Sequence, residues 1–344
     1  MLISICIPQY NRIRYLLKSL SIIEQQQYPD IEIVISDDCS TDETYDEIQS
    51  ISRTYKFPIV YHRNEHNSGY DGNLRQCLSL SSGDYCLIIG NDDSLNGDHV
   101  IQFLVEFLKS HQYPDVGFCN MIEERSGNTL VERARKSGII GSGPDVAIKY
   151  YSCFSFVGGL IFRRSIFDKF NTPRFDGSIY VQMYFGVVIV SSGYTLFSIH
   201  EPLIIKDISI QDEYIDTYRN KIAKKWKHFR IVDAGLPSVI HVLIHALKDT
   251  GYLNQDRIKY IFFRIYALTY PHWILDYKLN KAFPEAVGLM MGMFPFRNKN
   301  FHRLNVINKI YLMCIYLIQT VFSLAIPAFI FKKYKHTLYR LFKK

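Results

Sequence analysis

Two acidic pairs carry most of the chemistry this sequence could do. Asn91-Asp92-Asp93 follows closely on the apolar run Tyr85-Cys86-Leu87-Ile88-Ile89, and Asp37-Asp38 follows on Ile31-Glu32-Ile33-Val34-Ile35. Adjacent carboxylates on extended backbone point to opposite sides. One of them can hold a divalent cation while its neighbour contacts a sugar hydroxyl. All-oxygen ligands suit Mg²⁺ or Mn²⁺, which need few protein carboxylates when substrate phosphates supply the rest. A cation held there stabilises charge on a departing diphosphate. An aspartate pair alone reads as a solvated acidic turn. The position of each pair just beyond a buried strand favours the chemical reading. In Asp37-Asp38-Cys39-Ser40-Thr41-Asp42, Ser40 and Thr41 also serve as helix caps, and Asp38 is placed to accept from a base N–H or a ribose hydroxyl. His241 and His245 have the i, i+4 spacing of a zinc pair. No Glu lies between them, so ordinary packed histidines are the expectation. Gly158-Gly159 marks either a close substrate approach or a strand irregularity.

The elements that must position these residues alternate in type. Leu2 to Ile7 reads as a buried strand stopped by Pro8. Ile13, Leu16, Leu17, Leu20 and Ile23 then line one helix face, with Asn11 as its N-cap. Strands follow at Ile31 to Ile35, Ile59 to Tyr61, Tyr85 to Ile89 and Val116 to Met121. Between them the sequence predicts helices opened by Ser40-Thr41-Asp42, marked by Leu74, Cys77 and Leu78, and marked by Val100, Leu104, Phe107 and Leu108. Such alternation predicts an α/β fold, a mostly parallel sheet with helices on both faces. Ligands of such sheets bind beyond the carboxyl ends of strands. Pro8 to Asn11, Asp37-Asp38 and Asn91 to Asp93 all fall there. Residues 122 to 150 read as loop-rich. Val157 to Phe162 resembles a strand, and Val187 to Val190 and Tyr194 to Ile199 are further apolar stretches.

Composition excludes several classes. The 344 residues are 48% hydrophobic and 21% charged, which rules out a disordered chain, a collagen-like chain and a multi-span membrane protein. The seven cysteines form no C-x-x-C pair, which argues against a disulfide framework or a zinc site and for a reducing compartment. The start Met1-Leu2-Ile3-Ser4 has no basic segment of a secretory signal, so a cytoplasmic location is expected. Charge is divided unevenly. Residues 1–216 hold 18 Lys and Arg against 28 Asp and Glu, a net −10, whereas residues 217–344 hold 22 against 5, a net +17. The basic part should face an anionic surface, phospholipid or nucleic acid.

The residues resemble a known family. Ser4-Ile5-Cys6-Ile7-Pro8-Gln9-Tyr10-Asn11-Arg12, Ile35-Ser36-Asp37-Asp38-Cys39-Ser40-Thr41-Asp42, Asn64 through Asn67-Ser68-Gly69, and Ser82-Gly83-Asp84-Tyr85 running to Asn91-Asp92-Asp93 stand in the order of a family 2, GT-A fold glycosyltransferase. The resemblance covers roughly residues 1–210 and implies a nucleotide-sugar donor, a Mn²⁺ or Mg²⁺ cofactor and inversion at the anomeric carbon. It implies that Pro8, Tyr10 and Asn11 line the nucleobase end and that Asp38, with Asp37 close by, contacts the base. Asn67 and Gly69 match a turn beside the donor, and Asn73 a donor-side asparagine. Gly72 replaces an arginine common there. Asn91, Asp92 and Asp93 match the D-x-D element, with Asp92 facing the ribose or donor sugar and Asp93 the metal. The acidic pair that usually supplies the catalytic base reads Val181-Gln182 here. Asp176 is therefore the candidate base, with Asp207 a more distant second. The bland alternative for Asp176 is a cap on a helix starting at Ser178. Tyr70-Asp71-Gly72-Asn73 and the acid-poor segment after Phe175 resemble the abequosyltransferase-like branch, which adds deoxyhexoses to lipid-linked bacterial polysaccharide units such as O-antigen. That branch implies a saccharide acceptor on a lipid diphosphate.

Two regions follow: a GT-A domain over residues 1–215, and a helical, basic, aromatic-rich region over 216–344. Arg219 to Arg230 is a basic helical stretch, Tyr260 to Trp273 is aromatic-rich, and Ile310 to Phe331 is 22 residues without a charge, followed by Lys332, Lys333 and Lys335. The aromatics lie among aliphatics and match no RNA-binding motif. The expected partner of the region is an anionic membrane at the cytoplasmic face, the alternative is packing within the chain as a helical cap, and nucleic acid is not expected. The missing acidic pair motivates one alternative, a catalytically inactive GT-A domain serving as a membrane-bound scaffold.

Overall fold

The computed structural model describes residues 1–211 and 235–334. The expected boundary at 215/216, the basic stretch Arg219 to Arg230 and Lys335 lie outside the described residues.

Among the described residues, ten strands form one sheet. They are β1 (Ile3–Gln9), β2 (Ile31–Asp37), β3 (Ile59–Arg63), β4 (Tyr85–Ile88), β5 (Ser94–Leu95), β6 (Val116–Glu123), β7 (Thr129–Val131), β8 (Gly138–Gly141), β9 (Leu160–Arg163) and β10 (Leu196–Lys206). Their order is β3-β2-β1-β4-β9-β6-β10-β5, with β7 on β6 and β8 on β10. β1 runs parallel to β2 and β4, and β2 to β3, as the alternation predicts. The sheet beyond them is mixed rather than mostly parallel. β9 is antiparallel to both β4 and β6, and β5, β7 and β8 also pair antiparallel. The reason for β9 is positional. Gly158, just before it, abuts Asp93 at the carboxyl end of β4, so the strand can only run back. The segment read as loop-rich holds β7, β8 and a short helix.

Among the described residues, seven helices cover the sheet: α1 (Ile13–Ile23), α2 (Thr44–Ile51), α3 (Gly69–Leu80), α4 (Val100–Ser110), α5 (Pro144–Tyr150), α6 (Arg164–Phe170) and α7 (Val181–Ser191). Side-chain alternation sends β1 to two cores. Ile3, Ile5 and Ile7 pack with Leu16, Leu20 and Leu104 on one face, and Cys6 packs with Leu74, Leu78 and Val187 on the other. All eleven residues of α7 are buried. A helix apolar all round has no 3.6-residue stripe, which is why only an apolar stretch is legible there.

The first two loops are bonded to each other, and the second caps the helix that follows the first. Asn11 is not the N-cap of α1. Its Oδ1 accepts from Thr41 N at 2.8 Å, while Asp42 Oδ2 accepts from Ile13 N at 3.0 Å. Asn11 and Arg12 both adopt left-handed backbone (φ 52° and 69°), which turns the chain so that the two loops meet.

The C-terminal helices are α8 (Leu236–Asp249), α9 (Gln255–Arg264), α10 (Tyr270–Leu279), α11 (Phe283–Gly292) and α12 (Val306–Ala325). They extend the core of the α7 face: Leu243, Phe262, Tyr266, Leu312 and Tyr316 belong to the same buried cluster as Cys6. Much of the aromatic segment is therefore interior. Tyr266 Oη donates to Met293 O at 2.9 Å, and Tyr270 Oη lies 2.7 Å from Thr320 Oγ1. The rings of His241 and His245 lie 4.3 Å apart and tilted at 54°, beside Phe175. The uncharged run Ile310 to Phe331 is not one helix. Ile326 is extended before Pro327, as a residue preceding proline prefers, and α12 ends at Ala325.

Candidate active site

Three strand ends build the site. Register sets Gln9 of β1 beside Asp37 of β2, and Asp37 beside Arg63 of β3. β4 lies on the other side of β1 and leads to Asn91, Asp92 and Asp93.

Gln9 is fully buried at the centre. Its Nε2 donates to Asn11 O (2.6 Å) and Thr44 Oγ1 (3.0 Å), and its Oε1 accepts from Asn91 Nδ2 (2.8 Å). Its backbone carbonyl accepts from Asn73 Nδ2 at 3.0 Å. Asn73 and Asn91 therefore tie α3 and the acidic turn to the end of β1. Pro8 is half-buried within β1, whereas Tyr10 is 45% exposed and free to stack on a flat ring.

Asp37 and Asp38 both turn inward. Asp37 accepts from Ser40 N (2.9 Å) and Tyr61 Oη (2.6 Å). Asp38 is 3% exposed. Its Oδ1 accepts from Ser68 N (2.6 Å), Ser68 Oγ (2.7 Å) and Asn64 Nδ2 (3.0 Å), and its Oδ2 from Gly69 N (2.9 Å). Asn67 Oδ1 shares the Gly69 N–H at 3.1 Å. Gly69 has φ +78°, a conformation that suits glycine at this turn into α3. Asp38 thus clasps the 64–69 loop.

The pair Asp92-Asp93 divides as adjacent carboxylates should. Asp92 Oδ2 faces Arg12 Nη1 at 3.2 Å, and the same nitrogen donates to Asn91 Oδ1 at 3.2 Å. Asp93 points the other way and is 1% exposed. It accepts from Gly90 N and Asp207 N, each at 3.1 Å. A Cβ at either Gly90 or Gly158 would stand 2.8 Å from Asp93 Oδ2, so both glycines let the backbone close around this carboxylate. Burial, with Asp92 adding to it, pushes the Asp93 carboxyl up to about 7. Burial also raises Asp92, with Arg12 opposing and Asp207 reinforcing. Gly158→Ala would also put its Cβ 2.8 Å from the Phe156 ring, so it should displace Asp93, cut activity at least tenfold and cost about 1–3 kcal/mol, read by initial rates beside a urea melt.

Asp207, the second choice for a base, sits against this pair. It follows β10, its backbone N–H holds Asp93, and its carboxylate pairs with Lys206, which also reaches Glu123 at 2.8 Å. Ile208 N closes on Asp92 O at 2.8 Å. Gln9, Arg12 and Lys206 are site residues that sequence reasoning missed. Arg12 lies within the first motif. Lys206 and Asp207 obey the same strand-end rule, obscured by the register shifts within β10.

Among the described residues, no three His, Cys, Asp or Glu side chains are grouped as a metal cage. The donor chemistry nevertheless fits Mg²⁺ or Mn²⁺. Asp92 and Asp93 are hard oxygen donors whose mutual repulsion a cation would relieve, and such ions take their remaining ligands from phosphate and water.

Asp176 is on the loop before α7 and beside α3, where a Cβ at Gly72 would stand 3.6 Å from its Oδ2. It forms a two-pronged pair with Arg75 (Nε–Oδ1 2.7 Å, Nη2–Oδ2 2.5 Å). It does not cap a helix from Ser178. That role falls to Asp71, buried on α3, which accepts from Ile179 N (2.6 Å) and Val181 N (3.1 Å) and so sets the start of α7 at Val181. Burial outweighs these bonds and pushes Asp71 up to about 6. This folded value exceeds the unfolded value of about 3.9. Stability is therefore fully present below about pH 4 and falls as pH rises through about 6. Asp71→Asn should cost less stability at pH 8 than at pH 4, measured by urea unfolding at both.

A family model described as glycosyl transferase family 2 matches residues 4–170. The chain is 34% identical over 226 residues to abequosyltransferase RfbV of Salmonella typhimurium, spanning 60% of this chain and 66% of that protein. It is 23% identical over 188 residues to the Campylobacter jejuni GalNAc(5)-diNAcBac-PP-undecaprenol beta-1,3-glucosyltransferase, spanning 53% of this chain and 59% of that protein. Both matches cover less than two thirds of the relative's own length. The crystal structure of Staphylococcus aureus TarS 1–349 in complex with UDP has a similar fold, with TM-score 0.53 and 16% identity over 93% of this chain and 90% of that one. Strand order, the acidic pairs at strand ends and the family match converge: through residues 4–170 this chain belongs to glycosyl transferase family 2.

Proposed function

We propose that the chain transfers a sugar from a nucleotide-diphosphate donor, with inversion, to a hydroxyl of a saccharide acceptor on a lipid diphosphate. Residues 1–215 carry the transfer, and 216–344 hold the enzyme at the cytoplasmic face of a membrane during bacterial surface polysaccharide synthesis. The carrying observation is the meeting of Tyr10, the Asp38-clasped loop and Asp92-Asp93 beyond the carboxyl ends of β1, β2 and β4. The names of the relatives, an abequosyltransferase and a glucosyltransferase of an undecaprenol-diphosphate saccharide, support the substrate classes.

In this reading the nucleobase stacks on Tyr10 and is bordered by Pro8 and Asn11. The 64–69 loop, with Asn67, Gly69 and Asn73, borders the donor and stays in place through Asp38 and Asp37. Asp92 and Arg12 meet the ribose and donor sugar. Asp93, oriented by the amides of Gly90 and Asp207, holds Mn²⁺ or Mg²⁺. When bound, that ion neutralises charge on the leaving diphosphate. Asp176, partly exposed and oriented by Arg75, takes the proton of the acceptor hydroxyl. The acceptor oxygen bonds to the anomeric carbon from the face opposite the phosphate as the carbon–phosphate oxygen bond breaks.

A thermal-shift panel of UDP-, GDP-, CDP- and dTDP-sugars, with and without Mn²⁺, tests this. A ligand that binds the native state raises the midpoint by mass action. A Mn²⁺-dependent shift with one nucleotide, lost in Asp93→Ala, is expected; no shift with any donor would overturn the reading. One observation favours the alternative of an inactive, membrane-bound scaffold: α7 opens on Val181-Gln182 and Asp176 is already paired with Arg75. Sugar transfer by the purified chain would end that alternative.

A further inference from the structure

We propose that α12 lies flat in the headgroup region of an anionic bilayer, docked along its length on the rest of the chain, and does not cross the membrane. The inference rests on the membrane half of the proposed function and specifies how that contact is made. By length and composition α12 could span: its 20 residues reach about 30 Å. Its tertiary contacts forbid it. Asn308, Leu312, Tyr316 and Ser323 form one buried stripe. Tyr316 Oη donates to Met290 O at 2.9 Å, and Thr320 Oγ1 meets Tyr270 Oη at 2.7 Å. At the C-terminal end, Lys278 Nζ donates to the carbonyls of Ser323 (2.8 Å), Leu324 (2.6 Å) and Ile326 (2.8 Å). A spanning helix would have to give up every one of these contacts.

The opposite stripe is apolar and open to solvent. Ile310, Leu317, Ile318, Val321 and Phe322 are each more than half exposed, and the exposed positions from Val306 to Ala325 include no charged residue. An apolar face of this extent marks an interaction surface. The charge around it selects the occupant. Residues 281–334 carry seven Lys and Arg against one acid, Glu285. Lys259 Nζ stands 5.1 Å from the centre of the exposed Tyr311 ring, Lys309 lies in the first turn of α12, and Lys332 and Lys333 follow it. Long cationic side chains at the rim of an apolar face can reach phosphate headgroups while their stems cover apolar surface. A second copy of the chain would instead set two basic rims together.

Cys314 is an exposed thiol in the middle of this face. The test is a spin label on the full chain at Cys314, in a Cys39→Ser background. The same label is placed at Ile307→Cys and Val321→Cys in chains that also carry Cys314→Ser. Depth in phosphatidylglycerol vesicles is read from oxygen and nickel-complex collisions. All three labels should sit at one shallow depth, about 5–10 Å into the headgroup and acyl boundary. Binding to neutral phosphatidylcholine should be at least about tenfold weaker. Ile318→Glu should weaken vesicle binding by about ten- to a hundredfold, with the unfolding midpoint unchanged. Three results would each overturn the proposal: Cys314 at the bilayer centre with the other labels shallower on opposite sides, labels that ignore vesicles, or spin broadening that rises with protein concentration in their absence. The donor panel reads separately. A chain that binds donor but ignores lipid loses this proposal and keeps the transfer reading; a chain that docks but binds no donor does the reverse.

Discussion

Asp93→Ala is expected to lower sugar transfer by about a thousandfold or more while the chain still folds. The argument is electrostatic. Charge develops on the diphosphate as the anomeric bond breaks, and a preorganised group acting on that charge is worth about two to three orders of magnitude, more when it also holds the metal. Asp93 is preorganised: two amides aim it, two glycines make room for it, and it is 1% exposed. Truncation to Ala also takes the acceptor from the Gly90 and Asp207 amides, so Asp93→Asn is the variant that separates the chemical loss from the fold. Burial pushes the Asp93 carboxyl up to about 7, so the ionised form is disfavoured in the folded chain. Asp93→Asn keeps an acceptor for one amide and removes the repulsion with Asp92, so it should unfold within about 1 kcal/mol of the parent. Rates with saturating donor, set beside urea melts, check both halves. A variant that keeps Mn²⁺-dependent transfer removes Asp93 from the metal.

The second large effect is on stability. Asp38→Ala is expected to cost about 3 kcal/mol and to weaken donor binding along with it. Four hydrogen bonds converge on this buried carboxylate, and two of the donors are the backbone amides of Ser68 and Gly69. Truncation takes the acceptor from the Ser68 amide and hydroxyl and from Asn64 Nδ2, while Asn67 Oδ1 still accepts from Gly69 N, and a donor left without its acceptor costs about 1–3 kcal/mol. Asp38→Asn should cost less, because Oδ1 survives while the new amide group faces Gly69 N. The family resemblance alone leads to a different expectation, in which Asp38 touches the base and its loss affects only donor affinity. Urea unfolding of the donor-free chain separates the two: an unchanged midpoint would leave Asp38 with no clasping role.

Local signals were legible in this sequence because their causes are local. The β-branched runs, the helical face from Ile13 to Ile23 and the acidic pairs after strands each depend on a few neighbouring residues, and the strands and helices from β1 to β6 form close to the positions read for them, apart from the two-residue β5. Capping was legible in kind and misassigned in partner. Asn11 serves the other loop, 30 positions away, and Asp42 serves both, with Oδ1 on Thr44 N of its own helix and Oδ2 on Ile13 N, 29 positions back.

Three matters were decided only in three dimensions. The direction of β9 follows from where its first residues must stand, beside Asp93, because the apolar segment Leu160–Arg163 could pair either way. The closure of Asp207 over Asp93 joins residues 114 positions apart through a strand whose register shifts, and no local pattern encodes that meeting. The fate of the uncharged C-terminal run turned on packing. Composition makes Val306–Ala325 long and apolar enough to cross a membrane, yet Leu312 and Tyr316 are held in the core and Lys278 secures the helix end. Hydrophobicity sets how much surface must leave water; only the tertiary contacts decide which side of the helix is already covered and which is left for a partner.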